Sequence, residues 1–324
     1  GPGGGNHGKR RKTGSGSSGS NGASGSALPA ASGSDSEEEQ DDFVFRLSKA
    51  QLQWVAEVRA KVTAGIVHKA GKVVEVGGFP FDGGWARPPL ASRQQLSAVP
   101  DLNPFYLKKV FVWAPEFIFP CVTVPCPTCG RKSSSDGWSA KQPRRVFLDD
   151  DIGYLIGFRY TCSNCSDWNK SNGFKKGDKS RRKASFNAWD RGVISRLDSY
   201  VSNAFPFMLT RKSGVAKTVV ARLADDLING KGFSATSKFM REAYMNTYMT
   251  AHHSYVSLVN RCRSSIGEQL RVAAGEGASE IPAFGGFDDR QGFNGAWPSD
   301  AYLRGVWHKW FYDTPVIEVR RFER

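Results

Sequence analysis

Four of the six cysteines in this chain form two pairs with the same spacing. Cys126 and Cys129 lie in the segment CPTCG, and Cys162 and Cys165 lie in CSNC. A Cys-x-x-Cys turn directs two sulfurs toward one point, and zinc prefers four thiolates arranged as a tetrahedron. The spacing therefore predicts a Zn²⁺ site whose ligands are Cys126, Cys129, Cys162 and Cys165.

Two other uses of these cysteines are less compatible with the sequence. A thioredoxin-type redox pair begins a helix, and neither flank of either pair shows helical periodicity. A catalytic zinc ion needs an open coordination position, which four cysteine ligands do not leave. We therefore expect a structural ion. The remaining cysteines, Cys121 and Cys262, are expected to be buried small apolar side chains rather than ligands.

A basic segment, KSNGFKKGDKSRRK, follows the second pair at residues 170–183 and holds seven basic residues against one acidic. Its Gly, Asn, Ser and Asp content predicts a loop. Aromatic residues flank it, and basic side chains that hold phosphates beside rings that stack on bases suit nucleic acid. The alternative is a solvated loop whose flanking rings belong to the core. The candidate phosphate contacts are Lys175, Lys176, Lys179, Arg181, Arg182 and Lys183.

A second basic site is predicted in LTRKSGVAK, residues 209–217. Arg211 and Lys212 precede an expected helix start at Ser213. The free amides of a first helical turn, with basic side chains beside them, can bind a phosphate. A serine cap with ordinary surface charges is the alternative.

No catalytic arrangement is assigned. His252 and His253 are adjacent, so on a helix they diverge by about 100° and are expected to pack among aromatic and Met side chains. Residues 149–151, three consecutive aspartates, are expected to form a turn between strands. The pairs at 225–226 and 288–289 lack a separated third acid. A metal-dependent nuclease or strand transferase with unassigned acids stays open as an alternative.

Composition gives the broader setting. The 324-residue chain carries a net charge of +14, which favours a polyanionic partner such as DNA. Residues 1–42 are Gly- and Ser-rich and predict a disordered arm. Its basic cluster at 9–12 would serve as a nuclear import signal, and a solvated charge run is the equally weighted alternative. Neither an apolar window of membrane-spanning length nor a signal peptide occurs, so we expect a nuclear protein without membrane contact.

Periodicity predicts an α+β fold: a four-cysteine zinc ribbon with a β-hairpin, followed by a helical domain. Residues 43–100 contain a helix over 48–65, with Ser48 and Gln51 as a capping box, and a Gly/Pro-rich connector. Residues 101–169 form the ribbon, whose hairpin joins RRVFLDD to GYLIGFRYTC. Residues 170–274 contain the basic loop and helices over 186–204, 213–229 and 234–266. Residues 275–324 form a Gly/aromatic segment with a short helix in DAYLRGVWHKWFYD.

Several segments between about residues 101 and 310 resemble a known family. They are NPFYLKKVFVWAPE, CPTCG, DGW, RRVF, YLIGFRYTCSNC, FPFMLTRKSGVAK and FGGFDDRQGFNGAWPSDAYLRGVWHKW. Together they resemble the zinc-binding domain of unknown function found in transposase-like proteins, including those associated with Kyakuja-Dileera-Zisupton elements. The resemblance implies a zinc ribbon with a helical extension, which in longer relatives precedes a ribonuclease-H-like or exonuclease-like catalytic domain.

This chain ends at Arg324, so the acids of such a catalytic domain are expected to be absent from it. The leading hypothesis is a zinc-stabilised, DNA-binding, non-catalytic region of a transposase-derived nuclear protein. Besides the nuclease alternative, the chain could act as a protein-interaction scaffold whose aromatic C-terminal segment docks a catalytic partner or the missing domain.

Overall fold

A computed structural model describes residues 47–69, 72–76, 80–89, 100–119, 121–139 and 143–313, which belong to one compact unit spanning residues 46–324. The described part has an α+β fold, as the sequence predicts. The predicted arm at 1–42, with its basic cluster at 9–12, lies outside the described residues. Along the described part of the chain, no helix combines the length and the apolar character needed to cross a membrane.

The first helix, α1 (Lys49–Ala64), confirms the prediction for 48–65. The Ser48 hydroxyl caps it by accepting a hydrogen bond from the Gln51 backbone N–H at 3.2 Å. The Gln51 side chain does not close the predicted capping box, because it accepts a hydrogen bond from the backbone N–H of Lys108 at 2.7 Å. The buried face of α1 therefore docks on the segment that leads into the main sheet. That face consists of Gln51, Trp54, Val55, Val58 and Val62.

A two-stranded antiparallel ribbon follows, formed by β1 (Ile66–Lys69) and β2 (Lys72–Val76). A short 3-10 helix (Asp82–Gly84) then leads into the main sheet. The remaining strands in the described residues are β3 (Trp85–Ala86), β4 (Val110–Trp113), β5 (Ser134–Trp138), β6 (Arg144–Phe147), β7 (Ile152–Thr161), β8 (Ser185–Asn187), β9 (Phe207–Leu209) and β10 (Ser213–Ala216).

Strand β7 organises the main sheet, whose order is β3-β4-β7-β6-β10-β9. Its first half pairs with β4 in parallel and with β6 antiparallel, which confirms the predicted hairpin across residues 148–151. Its second half pairs with β5 and β8, both antiparallel. Seven consecutive residues of β7, from Ile152 to Phe158, are buried, as expected for a strand that is covered on both faces.

Among the described residues, the helices that lie between the strands along the chain are short, and longer helices follow β10. Two single turns, α2 (Asn103–Tyr106) and α3 (Pro115–Ile118), flank β4. The others are α4 (Ser163–Ser171), α5 (Arg191–Ile194), α6 (Ser199–Ala204), α7 (Lys217–Ile228), α8 (Phe233–Arg263), α9 (Ile266–Ala273) and α10 (Asp300–Asp313). The last confirms the predicted helix in DAYLRGVWHKWFYD.

The predicted helix over 186–204 is wrong in its first half. Phe186 lies in β8, and the chain forms α5 and α6 only after turning at residues 188–190. The Phe186 side chain is 2% exposed and stacks on Tyr160 of β7 at 6.3 Å between ring centroids. Pairing with the second half of β7 therefore overrides the helical spacing of these residues.

The predicted helix start at Ser213 is also wrong, because residues 213–216 form β10. All four residues are buried between β6 and β9, and the Ser213 hydroxyl bonds to the Tyr302 hydroxyl at 2.9 Å. Helix α7 begins four residues later, after Ala216. The backbone amides of 213–216 thus serve the sheet, and the expected phosphate site on a helical first turn does not form.

The predicted helix over 234–266 is confirmed in type but begins after Gly232, not at Ser234, and breaks into α8 and α9 at residues 264–265. Helix α8 packs against the irregular segment 274–299 through aromatic side chains. The ring of Phe284 lies 5.1 Å from the imidazole of His252 and 5.6 Å from the ring of Tyr255. His252 is therefore held in aromatic packing, as the sequence predicts.

A buried ion pair ties the hairpin turn to the rest of the molecule. The Lys108 ammonium lies 3.0 Å from both carboxylate oxygens of Asp151, and the two side chains are 3% and 14% exposed. The same ammonium lies 3.2 Å from the centroid of the Phe293 ring. The three aspartates do form the predicted turn, and one of them is held inside the protein.

A half-buried carboxylate, that of Glu116, lies on α3. Tyr160 of β7 donates a hydrogen bond to one oxygen of Glu116, while the other oxygen is enclosed and has no hydrogen-bond partner among the described residues. Burial raises the pKa of Glu116 to about 7, although the hydrogen bond from Tyr160 acts in the opposite direction. Near neutral pH this group therefore changes charge inside the protein.

Replacing Glu116 with glutamine should flatten the pH dependence of stability. Because the pKa of Glu116 is higher in the folded than in the unfolded state, its stabilising contribution is complete below about pH 4.3, where the carboxyl group is protonated in both states. This contribution is lost as the pH rises through about 7. Wild-type protein should lose about 3 kcal/mol of unfolding free energy across that window through this group. Glu116→Gln, which keeps an acceptor for Tyr160, should lose none of it. Urea unfolding across the pH range tests this, with the exposed Glu57→Gln as control; equal slopes for both variants would contradict it.

Candidate metal centre

The two cysteine pairs meet in one cluster. The sulfur atoms of Cys126, Cys129, Cys162 and Cys165 all lie within 4.8 Å of one another. The Cys126 and Cys165 sulfurs are 3.7 Å apart, and those of Cys129 and Cys162 are 3.6 Å apart. A tetrahedron with metal–sulfur bonds of about 2.3 Å has sulfurs about 3.8 Å apart, so the four thiols fit a tetrahedral metal site.

The first pair lies in a tight turn that is closed by two backbone hydrogen bonds. The backbone N–H of Cys126 donates to the Arg131 carbonyl at 2.8 Å, and the Gly130 N–H donates to the Cys126 carbonyl at 2.9 Å. Gly130 has a φ of +74°, which lets the chain reverse directly after Cys129. A β-carbon at this position would also come within 2.9 Å of the Arg196 guanidinium. The backbone conformation therefore favours glycine, whereas the flexible end of the Arg196 side chain could move away from a β-carbon.

The second pair begins a helix, which corrects the expectation that no helix flanks either pair. Cys162 directly follows β7 and is the N-cap of α4, and Cys165 lies in the first turn of that helix. The nine-residue helix was missed because its sequence, SNCSDWNKS, contains too few apolar residues to show a periodicity. The helical position no longer argues against a redox pair. The close approach of all four sulfurs is the stronger observation, and it favours a shared metal ion.

Burial and protonation also suit a cation at this centre. Cys126, Cys162 and Cys165 are buried and Cys129 is half-buried. Burial raises the pKa values of Cys162 and Cys165. Burial would also raise the pKa of Cys129, but hydrogen bonds from the Arg131 backbone and from the neighbouring thiols lower it to about 6. A divalent metal would compensate the charges of the four thiolates and displace the remaining protons.

The two other cysteines lie outside the cluster. Cys262 is 1% exposed in α8, as predicted. The prediction for Cys121 is wrong, because this residue is exposed at a turn and has a φ of +67°. The apolar run around it forms α3 and then a turn instead of the buried strand that its composition indicates.

The basic loop, residues 172–184, is tied to both cysteine turns through its backbone. The buried Asn169 side chain holds the loop at Arg182, because it accepts from the N–H and donates to the carbonyl, both at 2.9 Å. The Cys162 N–H donates to the Ala184 carbonyl at 2.8 Å, and the Thr128 hydroxyl donates to the Lys183 carbonyl at 3.4 Å. The second half of the loop is thus positioned by the two cysteine turns and by α4.

An open groove of about 720 Å³ lies between α4 and the basic loop. Its lining combines hydroxyl groups with basic side chains, which are the groups that bind phosphate oxygens in proteins. Asp167 and Asp178 are acidic residues in the same wall. The hydroxyl-bearing and basic lining residues include Ser163, Ser166, Lys170, Arg181, Arg182 and Lys183.

The candidate contacts in the loop differ in their surroundings. Five of them, Lys175, Lys176, Lys179, Arg181 and Lys183, are exposed. Lys183 forms an ion pair with Asp190 at 2.6 Å. Arg182 is half-buried and stacks 4.0 Å from the centroid of Trp168, whose ring in turn stacks on Phe174. These two rings and that guanidinium serve to hold the loop together.

Two further basic residues near the cysteine turns were not among the site residues predicted from the sequence. Arg131 donates to the Asn164 side chain at 2.9 Å and so joins the two cysteine turns. Arg196 approaches Gly130 from the α5 side, as the space around that glycine shows. Arg131 follows directly after CPTCG and could have been found from that position, whereas nothing in the sequence placed Arg196 near the cysteines.

No other metal cluster occurs among the described residues. Within that part of the chain, the four cysteines are the one group of three or more His, Cys, Asp or Glu residues close enough to share an ion. Asp226 accepts a hydrogen bond from Thr236 at 2.8 Å and pairs with Lys231 at 3.7 Å. Within the described residues, the acid pairs noted in the sequence therefore have no third acid close enough to share a metal ion.

Comparisons with protein-family models, with curated proteins and with solved structures give no match to this chain. Any function proposed for this chain therefore depends on its own residues and geometry.

Proposed function

We propose that this chain is a zinc-stabilised, DNA-binding, non-catalytic region of a transposase-derived nuclear protein. The observation that carries the proposal is the attachment of the backbone of the basic loop to both cysteine turns, at Lys183 by the Thr128 hydroxyl and at Ala184 by the Cys162 N–H. The resemblance of residues 101–310 supports the transposase origin, and the basic cluster at 9–12 supports nuclear import.

Zinc is the proposed metal because four thiolates in a tetrahedral arrangement suit Zn²⁺ best among common cellular metals, with iron as the competitor. Four protein ligands complete the coordination shell, so the ion would hold the two turns together without activating water. Its contribution would be to fix the end of β7, the start of α4 and the return of the loop at Ala184.

The loop would bind DNA through phosphates. Its exposed lysines neutralise phosphate charge and release counterions, which gives affinity with little demand on base sequence. A loop whose backbone is already held loses less conformational entropy on binding than a free basic segment does. The metal centre would thus act on affinity through the loop, without contacting DNA itself.

Charge reversal of Lys175, Lys176 and Lys179 tests this proposal. Fluorescence anisotropy with a labelled duplex over a range of salt concentrations gives the slope of log affinity against log salt. Loss of three phosphate contacts should reduce the magnitude of that slope by about 2.7. The matched control reverses three exposed basic residues on α1 and α8, Lys49, Lys238 and Arg261, and should leave the slope nearly unchanged. The proposal is wrong if the wild-type protein does not bind at low salt, or if both triple variants behave alike.

The alternative of a protein-interaction scaffold has one observation in its favour. Helix α9 turns Ile266 and Leu270 outward, at 76% and 65% exposure, while its Glu268 is 6% exposed and accepts from the Ser279 N–H at 2.7 Å. This is the reverse of an ordinary amphipathic surface helix. A scaffold without affinity for nucleic acid would show no binding by the wild-type protein in the titration above, which separates the two functions.

A further inference from the structure

Two basic segments that lie far apart in the sequence approach each other in the fold. The first is the basic loop at 172–184, and the second is the β9–β10 turn at 210–212, which carries Arg211 and Lys212. Both residues of the turn are exposed. The sequence suggested a separate phosphate site at the turn, on a helix start that does not exist.

Asp190 and Arg144 connect the two segments. Lys183, at the end of the basic loop, pairs with Asp190 at 2.6 Å. Arg144 begins β6 and donates a hydrogen bond from its guanidinium to the Arg211 carbonyl. Burial lowers the pKa of Arg144, and the charge of the Asp190 carboxylate opposes that change. Lys183 therefore contacts Asp190 and Arg144 contacts Arg211, while Asp190 and Arg144 interact only through their charges.

The sheet explains why these groups meet. Strand β6 lies between β7 and β10, with Arg144 opposite Leu155 and Arg145 beside Ser213. The turn that precedes β10 consequently lies next to the start of β6. Helix α10 adds a further positive charge there, because the Lys309 ammonium donates to the Leu209 carbonyl at 2.8 Å. Five basic side chains from three parts of the chain thus gather at this edge: Arg144, Arg145, Arg211, Lys212 and Lys309.

We infer that the basic loop and the β9–β10 turn form one continuous surface, bridged by Arg144, that binds the phosphate backbone of a single DNA duplex. This inference rests on the proposed function and names the form of DNA that is bound. Duplex is favoured over single-stranded DNA because the aromatic rings at the basic loop already stack on other side chains of the protein. Trp168 stacks on Phe174 and under Arg182. Single-strand binding depends on rings that are free to stack with bases, whereas a duplex presents closely spaced phosphates.

The test compares variants of the two segments on one duplex. Arg211→Gln with Lys212→Gln changes the turn, and Lys175→Gln with Lys176→Gln changes the loop. If both segments contact the same duplex, each pair should reduce the magnitude of the salt slope by about 1.8, and the combined variant by about 3.6. The control pair is Lys49→Gln with Lys238→Gln. Metal content and thermal unfolding should match wild type in every variant, which excludes a folding defect.

The outcomes separate this inference from the proposed function. If the loop pair reduces the slope while the turn pair behaves like the control, the continuous surface is wrong and DNA binding by the loop stands. If the wild-type protein binds no DNA, the proposed function itself is wrong. If each pair of substitutions on its own leaves the salt slope at its wild-type value while the combined variant abolishes binding, the two segments are alternative sites. The continuous surface is then wrong. Equal affinity for a single strand of the same length would overturn the preference for duplex.

Discussion

Replacing Cys165 with serine is expected to release the metal and to destabilise the protein by more than about 4 kcal/mol. The sulfur of Cys165 is buried and lies 3.7 Å from that of Cys126, so a serine would leave three thiolates and a hydroxyl enclosed around one position. Structural zinc sites couple metal binding to folding, which is why loss of one ligand has so large an effect. Atomic emission measurement of bound zinc should fall from about one ion per chain to near zero, and the unfolding temperature should drop by about 10 °C.

Cys121→Ser is the matched control for this experiment. Cys121 is exposed and lies outside the cluster, so its replacement should change neither metal content nor unfolding temperature. A Cys165→Ser variant that keeps a full complement of zinc would show that these four cysteines do not form the metal site. Iron in place of zinc in the wild-type protein would preserve the site but change the proposed ion.

Replacing Lys108 with methionine is expected to cost about 3–5 kcal/mol of unfolding free energy. Burial lowers the pKa of Lys108 and raises that of Asp151, and each charge partly offsets the effect of burial on the other. Removing the ammonium leaves the Asp151 carboxylate buried without its counter-ion. The same change removes the contact with the Phe293 ring, so the 274–299 segment should loosen as well. Urea unfolding at neutral pH measures the loss.

The neighbouring pair provides the control. Lys109 and Asp150 are 3.1 Å apart but their side chains are 43% and 57% exposed, so Lys109→Met should cost less than about 1 kcal/mol. Adding Asp151→Asn to Lys108→Met should recover part of the loss, because an amide needs no counter-ion. Equal destabilisation by Lys108→Met and Lys109→Met would contradict the role of burial.

Local patterns in the sequence predicted those parts of the fold that depend on neighbouring residues. The Ser48 cap and the helical spacing of Leu52, Val55, Val58 and Val62 predicted α1, since a helix makes its hydrogen bonds within a few residues. Of these four apolar residues, Leu52 is exposed and the three valines are buried. The hairpin of β6 and β7 was predicted for the same reason, because its turn at 148–151 joins the two strands directly. The grouping of the cysteines followed from two Cys-x-x-Cys pairs with the same spacing, and the sulfur positions agree with it.

Short strands with distant partners were not predicted. Residues 213–216 and Phe186 lie in sequences that suit a helix, and they form strands because β6, β9 and the second half of β7 provide hydrogen-bond partners. Strand preference depends on what the strand packs against, which a local pattern does not contain. The exposure of Cys121 has a similar origin, because the turn after α3 brings that residue to the surface.

Local sequence is sufficient to predict the two cysteine pairs, the charge of the loop and the first helix, because each depends on residue types a few positions apart. Which basic residues share a surface depends instead on the tertiary fold. Arg144 and Arg211 are separated by many residues, and they meet because β6 pairs with β10, which places the turn before β10 next to the start of β6. Their proximity is a property of sheet order, and sheet order results from the burial of the whole core.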